Sequence, residues 1–444
     1  MSASHAPPTP SPLRRRPRRD PRIGRLLSAA ALLAVLALPV PAQERVSPEQ
    51  VGMSAERLAR LSAVLDDYVA EGRLPGAVAL VMRHGKIVYL ESFGHRDREA
   101  ADPMETDDIF RIASQTKAVV STAVMILQEE GALDINAPVS GVLPEYARTT
   151  VAVPRAHGGY DVVPADRPIT IRDLLTHTAG VGYGNGPGSD RWEAAGIQGW
   201  YFADREEPVR ETVRRMAALP FPAQPGERFV YGYSTDILGA VVEVASGLPL
   251  DVFLRTRIFE PLGMVDTHFY LPQEDADRLA VVYAGSEAGP LERAPEGGGF
   301  RGGQGLYVDG PRTSFSGGAG LLSTARDYGR FLQAILNGGE LEGRRILSPK
   351  SVELMTVNHV GDLMGPGQGF GLGFQVVRDL GARGRMGSPG EFGWGGAYHS
   401  TYWGDVTEDL VVVYFTQVMP AAGLDDHAKL RNLVYQAIVE AGGP

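Results

Sequence analysis

Ser114-Gln115-Thr116-Lys117, running on into Ala118-Val119-Val120-Ser121-Thr122-Ala123-Val124-Met125-Ile126-Leu127, places a lysine three residues after a serine at the mouth of an almost wholly apolar stretch. The stretch reads as a buried helix. Positions i and i+3 share a helix face, so the two side chains can meet. The chain has 39 arginines and 4 lysines, so a lysine among these neighbours is not an interchangeable surface cation. Arginine keeps its proton at any working pH, whereas a desolvated lysine can fall toward neutrality and accept one. The pair therefore reads as a nucleophile with its base. The helix N-terminus would also offer backbone N–H groups, that of Ser114 among them, to a developing oxyanion.

Outward from this stretch the elements alternate in a recognisable order. Residues 54–71 repeat apolar side chains at helical spacing through Leu58, Leu61, Val64, Leu65 and Val69, which predicts a surface helix. Two β-rich runs follow, 77–82 and 87–93, joined by Arg83-His84-Gly85-Lys86, whose glycine suits a tight hairpin. Residues 399–403 and 410–416 form a second strand pair, with an apolar helix near 429–439 after them. The two ends of the chain are expected to share one sheet. Between them, helical stretches at 171–176, 209–218, 235–245, 251–258 and 325–336 predict a mainly helical lobe. Residues 285–320, rich in Gly and Pro and carrying Gly297-Gly298-Gly299, have no periodicity and read as a long loop. Such loops in compact domains are more often functional than accidental.

At 444 residues, 43% hydrophobic and 22% charged, the chain suffices for one large domain or two interleaved lobes. Arg14, Arg15, Arg16, Arg18, Arg19, Arg22 and Arg25 precede an apolar run over residues 26–38 and then Val40-Pro41-Ala42. That order predicts a secretory signal peptide over residues 1–42, cleaved after Ala42; the run is too short for a membrane span. A periplasmic or secreted protein is expected, with no stable membrane insertion after cleavage. The leader holds seven Arg and one Asp, so its removal takes the formal charge from −10 to −16. An acidic chain lacks the basic footprint that nucleic-acid binding needs. With no cysteine there is no disulfide framework, thiol nucleophile or thiolate metal site. The nine histidines lie far apart, without H-E-x-x-H or comparable spacing, and neither a metal nor another cofactor is inferred.

Further landmarks follow the Ser-Lys pair: Leu174-Leu175-Thr176-His177-Thr178-Ala179-Gly180, then Pro225-Gly226 leading to Tyr231, then Gly317-Gly318-Ala319-Gly320-Leu321-Leu322-Ser323-Thr324, then Trp394-Gly395-Gly396. In this order, over most of the chain, they resemble the serine β-lactamase-like family, whose members include class C β-lactamases, penicillin-binding D-peptidases and family VIII carboxylesterases. The resemblance implies an α/β (α+β) fold of the β-lactamase/transpeptidase type, an antiparallel sheet flanked by helices with an inserted, mainly helical lobe. Here the α/β lobe would come from about residues 43–110 and 338–444 and the helical lobe from about 111–337, with the site between them.

By the same resemblance, Tyr231 matches the tyrosine that acts with the lysine as general base, its phenol held partly ionised by the neighbouring cation. Tyr233 stands where the family often has asparagine; it is a candidate substrate contact and a competitor for the base. The spacing from Pro225-Gly226 and to Asp236-Ile237-Leu238-Gly239 favours Tyr231. Where β-lactamases and D-peptidases carry Lys-Thr-Gly, this chain has Trp394-Gly395-Gly396. Indole offers one neutral donor and a large apolar face in place of a cation, which weakens anion recognition and resembles the family VIII carboxylesterases. The N–H of Ala397 would complete the oxyanion hole with that of Ser114. His399 begins a strand beside this motif and is expected to line the site, while His177 reads as a structural hydrogen-bonding residue. No G-x-S-x-G elbow occurs, which disfavours the α/β-hydrolase route.

The resemblance thus implies a serine hydrolase in which Ser114 attacks an acyl carbonyl, Lys117 and Tyr231 take its proton, and water resolves the acyl-enzyme. Its substrate would be a small ester or amide. Carboxylesterase action on small neutral acyl esters leads; β-lactam or D-peptide hydrolysis, acyl transfer to an alcohol and a catalytically silent binding role follow in that order. Residues 183–205 and 285–320 are the expected pocket walls, with Trp192, Trp200, Tyr201 and Phe202 supplying apolar area.

Overall fold

Gly76–Arg83 (β1) is buried at every position. Its run Ala77-Val78-Ala79-Leu80-Val81-Met82 does not alternate with polar residues because both faces of the strand are covered. Lys86–Asp97 (β2) folds back on it through His84 and Gly85, at φ 52° and 72°. Two successive left-handed residues give the turn whose twist matches a two-residue hairpin, and Arg83 pairs with Lys86 as the glycine predicts. In this computed structural model, which describes residues 1–2, 43–285, 290–299, 302–421 and 423–441, the hairpin sits in an eight-stranded sheet. The other strands are Asp102–Pro103 (β3), Gln368–Phe370 (β4), Gln375–Val377 (β5), Phe392–Gly396 (β6), Ser400–Asp405 (β7) and Leu410–Thr416 (β8), in the antiparallel order β4-β5-β6-β7-β8-β1-β2-β3. The pairing of β1 with β8, Ala77 opposite Thr416 through Arg83 opposite Leu410, joins the two ends of the chain as expected. The leader expected over residues 1–42 lies, from residue 3 onward, outside the described residues.

Successive side chains on β1 face opposite ways. Ala77, Ala79 and Val81 join Val412 and Tyr414 beneath Ala55–Ala70 (α1), through Leu58, Leu61 and Leu65, and beneath the C-terminal helix. Val78, Leu80 and Met82 join Val411, Val413 and Phe415 on the other face, in one hydrophobic core with Thr116–Glu129 (α2). The helix Ser234–Ser246 (α3) packs on α2 and leads the helical lobe. Ala325–Leu336 (α4), read from sequence as part of that lobe, lies on the sheet instead; a Cβ on its Gly329 would stand 2.3 Å from Leu80 Cδ2, so glycine lets helix and strand close up. The C-terminal helix, Asp426–Tyr435 (α5), runs earlier than expected, because Ile438 leaves it to bridge Met53. Among the described residues no single helix is long and apolar enough to cross a membrane.

Candidate active site

Ser114 does not stand on α2. It occupies a short 3₁₀ turn, Ala113–Gln115, just before the helix, and the buried Ala113 takes φ 44°. A non-glycine residue in that region stores backbone strain, here one residue before the expected nucleophile. The expected meeting still occurs: Lys117 Nζ donates to Ser114 Oγ at 3.3 Å. It also donates to Gly318 O at 2.6 Å and Tyr183 Oη at 3.0 Å, and lies 4.6 Å from the Tyr231 ring centroid. An ammonium has three protons to give, and all three are placed. Burial alone would pull the Lys117 pKa down; Tyr183, Tyr231 and Asp236 outweigh it, and the pKa stands above the ordinary lysine value. The sequence reading of a lysine drifting toward neutrality is thus corrected, because desolvation comes with oxygen acceptors on every side.

Tyr183 begins the 183–205 segment expected as a pocket wall and does line the cavity, but its bond to Lys117 was not foreseen. Asp236 was missed, although a carboxylate inside the apolar run of α3 is itself a signal. It is fully buried, and Oδ1 accepts from Ser316 Oγ at 2.6 Å and Gly318 N at 3.0 Å. A Cβ on Gly318 would lie 2.3 Å from Asp236 Oδ2, so only glycine can bring this backbone against the carboxylate and turn its carbonyl to Lys117.

Tyr231 lies beside the lysine, and its Oη accepts the indole N–H of Trp394 at 2.9 Å. The single polar group of Trp394 is therefore spent inside the protein. What it offers to the cavity is its ring, braced edge-on by Phe370 with centroids 5.5 Å apart. His177 packs under Tyr231 at 4.7 Å, its Nδ1 without a partner, and burial holds its pKa far below the usual value. It acts as a neutral packing ring in place of the expected hydrogen-bonding residue. Tyr233 is a correction as well. It is fully buried, stacked on Trp192 and Phe202, and donates to Gly199 O at 2.5 Å, so it touches no substrate; it braces Tyr183 edge-on at 5.1 Å.

Glycine also brings β6 to the serine. A Cβ on Gly396 would stand 2.6 Å from Ile112 O, and Gln115 Nε2 donates across the gap to Ser400 Oγ at 2.9 Å. Ser114, Tyr183, Tyr231, Trp394, Gly395, Gly396, Ala397 and His399 consequently line one cavity of about 990 Å³. Of the four aromatic residues expected in its walls, Trp200 lines it, whereas Trp192, Tyr201 and Phe202 are core. No described residue of 285–320 does so; the far wall comes instead from β5, residues 383–386 and α5. His399 is not in a strand but in the turn before β7, at φ 60°. With Asp426 and His427 it forms a cluster whose candidate ligand atoms lie within 4.8 Å of one another. The two imidazoles stack at 14° and 4.0 Å, so their in-plane lone pairs lie in near-parallel planes and cannot converge on one ion.

A sequence model of the Beta-lactamase family matches residues 61–436. Esterase EstB of Burkholderia gladioli is 35% identical over 374 residues, which cover 82% of this chain and 91% of EstB. Protein Rv1367c of Mycobacterium tuberculosis (strain ATCC 25618 / H37Rv) is 36% identical over 376 residues, 80% of this chain and 88% of that protein. Among solved structures, EstCE1, a hydrolase with promiscuous acyltransferase activity, superposes with a TM-score of 0.73 at 30% identity, covering 86% of this chain and 99% of its own.

Proposed function

The chain belongs to the Beta-lactamase family and is a serine hydrolase; from that premise we propose a carboxylesterase that cleaves small neutral acyl esters through an acyl-enzyme on Ser114. The observation that carries this reading is Trp394. Its position in the family's third motif holds a lysine in the members that recognise carboxylates, and here its one donor is committed to Tyr231. An apolar ring faces the cavity, and the nearby ammonium of Lys117 is engaged by Ser114, Tyr183 and Gly318.

At rest the site holds an ammonium among phenols, so one proton must leave before Ser114 can be deprotonated. With that proton gone, the Lys117 ammonium stabilises a phenolate, and Tyr231, already receiving the Trp394 N–H, is the phenol best placed to carry the charge. Tyr231 takes the Ser114 proton as Oγ attacks the ester carbonyl, and returns it to the departing alkoxide. The backbone N–H groups of Ser114 and Ala397 hold the oxyanion. Water then adds to the acyl-enzyme and regenerates Ser114.

A fluorophosphonate probe should label the protein at Ser114 and fail to label Ser114→Ala. kcat/KM on p-nitrophenyl butyrate should far exceed that on nitrocefin, and the reverse order would retire the esterase reading in favour of a β-lactamase or D-peptidase. Likeness to EstCE1 supports acyl transfer to alcohols as a second activity; added methanol would then divert butyrate to its methyl ester. Export is also proposed, on residues 1–42 alone, and N-terminal sequencing of the protein from the periplasm or medium should begin at Gln43.

A further inference from the structure

The reaction above leaves His399 without a task, although the fold fixes it from three directions. It follows Ala397 by two residues and lines the same cavity as Ser114. Its backbone is in the left-handed region, φ 60°, which costs a residue with a Cβ free energy that the surroundings must supply. Its Nε2 lies 2.6 Å from Asp426 Oδ1, its ring stacks on His427, and its carbonyl accepts from His427 Nε2 at 3.2 Å. Asp426 is buried, and its second oxygen accepts from Tyr414 O–H at 2.8 Å. Burial pushes its pKa up, but the His399 hydrogen bond and the imidazole charges bring it below the ordinary value. A carboxylate only accepts, so Nε2 carries the hydrogen and Nδ1 is left with its lone pair. Among the described residues Nδ1 has no hydrogen-bond partner, and it is not sealed from solvent. Burial first, and the neighbouring His399 after it, hold His427 down at about 4.

We propose that His399, oriented by Asp426, is the general base that activates the acyl acceptor, water or a small alcohol, in the second half of the reaction. The acceptor oxygen forms a bond to the acyl carbon on Ser114 while its proton passes to His399 Nδ1. The tetrahedral oxyanion collapses, the bond to Ser114 Oγ breaks, Oγ takes a proton from the Lys117–Tyr231 pair, and the proton that His399 gives up to solvent is made good by one that the pair takes from solvent, which restores the starting charges. Acylation and deacylation thus draw on different bases that line one cavity with Ser114.

This rests on the esterase reading, and the test separates the two. The full mature chain and His399→Gln would be followed by fluorophosphonate labelling rate, by steady-state turnover of p-nitrophenyl butyrate, and by intact-mass detection of butyryl-Ser114 during turnover. In His399→Gln, labelling within about twofold of wild type, turnover down about 100-fold and butyryl-enzyme accumulation are expected; hydroxylamine, which needs no base, should restore turnover. Asp426→Asn should show a weaker form of the same defect. Unchanged turnover in His399→Gln, or labelling and turnover falling together without accumulation, would overturn the proposal, the latter making His399 a support for the Ala397 turn. A wild-type protein that neither labels nor acylates would instead overturn the esterase reading.

Discussion

Trp394→Phe separates the two things tryptophan brings to the site. Phenylalanine keeps an apolar ring toward the cavity and removes the N–H that Tyr231 Oη accepts at 2.9 Å. A hydrogen bond to a charged oxygen contributes about 1.5–3 kcal/mol and one to a neutral oxygen about 1 kcal/mol. The loss therefore weakens stabilisation of the charge that Tyr231 Oη carries during catalysis by the difference, about 0.5–2 kcal/mol. On p-nitrophenyl butyrate kcat should fall about tenfold, with KM within about twofold. An unchanged kcat with a steeply raised KM would refute this reasoning and make Trp394 a substrate-facing ring with an incidental hydrogen bond.

Tyr183→Phe should move the rising limb of kcat/KM against pH, on p-nitrophenyl butyrate, to lower pH. Tyr183 is the foremost influence raising the Lys117 pKa against burial, so its removal eases loss of the proton, and a pH–rate profile with no downward shift would count against the assignment. His427→Gln probes stability: the folded-state value of about 4 lies below the ordinary 6.5, so stability present above pH 6.5 is lost as pH falls toward 4. Up to about 3 kcal/mol is involved, and thermal melts of the variant should be flatter across that window than those of wild type. Glu391→Gln should lower the melting temperature, because Glu391 holds both Arg383 and Arg431 and breaking a buried pair costs about 3–5 kcal/mol. It should also raise kcat/KM for p-nitrophenyl hemisuccinate relative to the butyrate; a folded variant with an unchanged ratio would show that the freed guanidiniums do not reach the acyl group.

The sheet was legible because its signal is local. Runs such as 77–82 and 410–416 announce strands buried on both faces, and Gly85 announces the hairpin between two of them. Ser114 and Lys117 were legible for the same reason, three residues apart before an apolar helix. The partners of Lys117 were not: Tyr183, Gly318 and Asp236 reach it through packing between segments far apart in the chain. Tyr231 and Tyr233 look alike in sequence, but successive directions along the chain point the first at Trp394 and sink the second between Trp192 and Phe202. The pocket walls misled because aromatic content marks core and pocket equally. Trp192 and Tyr201 close the helical lobe, their polar atoms on Pro220 O and Leu306 N.

The cations around the cavity bear on the proposal that its substrates are neutral. Recognition of a carboxylate needs a desolvated cation with no other partner, since an exposed ion pair contributes at most about 1 kcal/mol. Lys117 is desolvated, but its three protons go to Ser114, Tyr183 and Gly318. Arg383 and Arg431, largely buried in the far wall, share the carboxylate of Glu391. Arg385 lines the cavity as an exposed side chain, where water screens it. With tryptophan at the third motif, an anionic acyl group would shed its hydration and find every buried cation already engaged, whereas a neutral ester loses little hydration and gains the Trp394 ring. The proposed selection for neutral esters thus rests on how the cations are partnered as much as on the one substitution visible in the sequence.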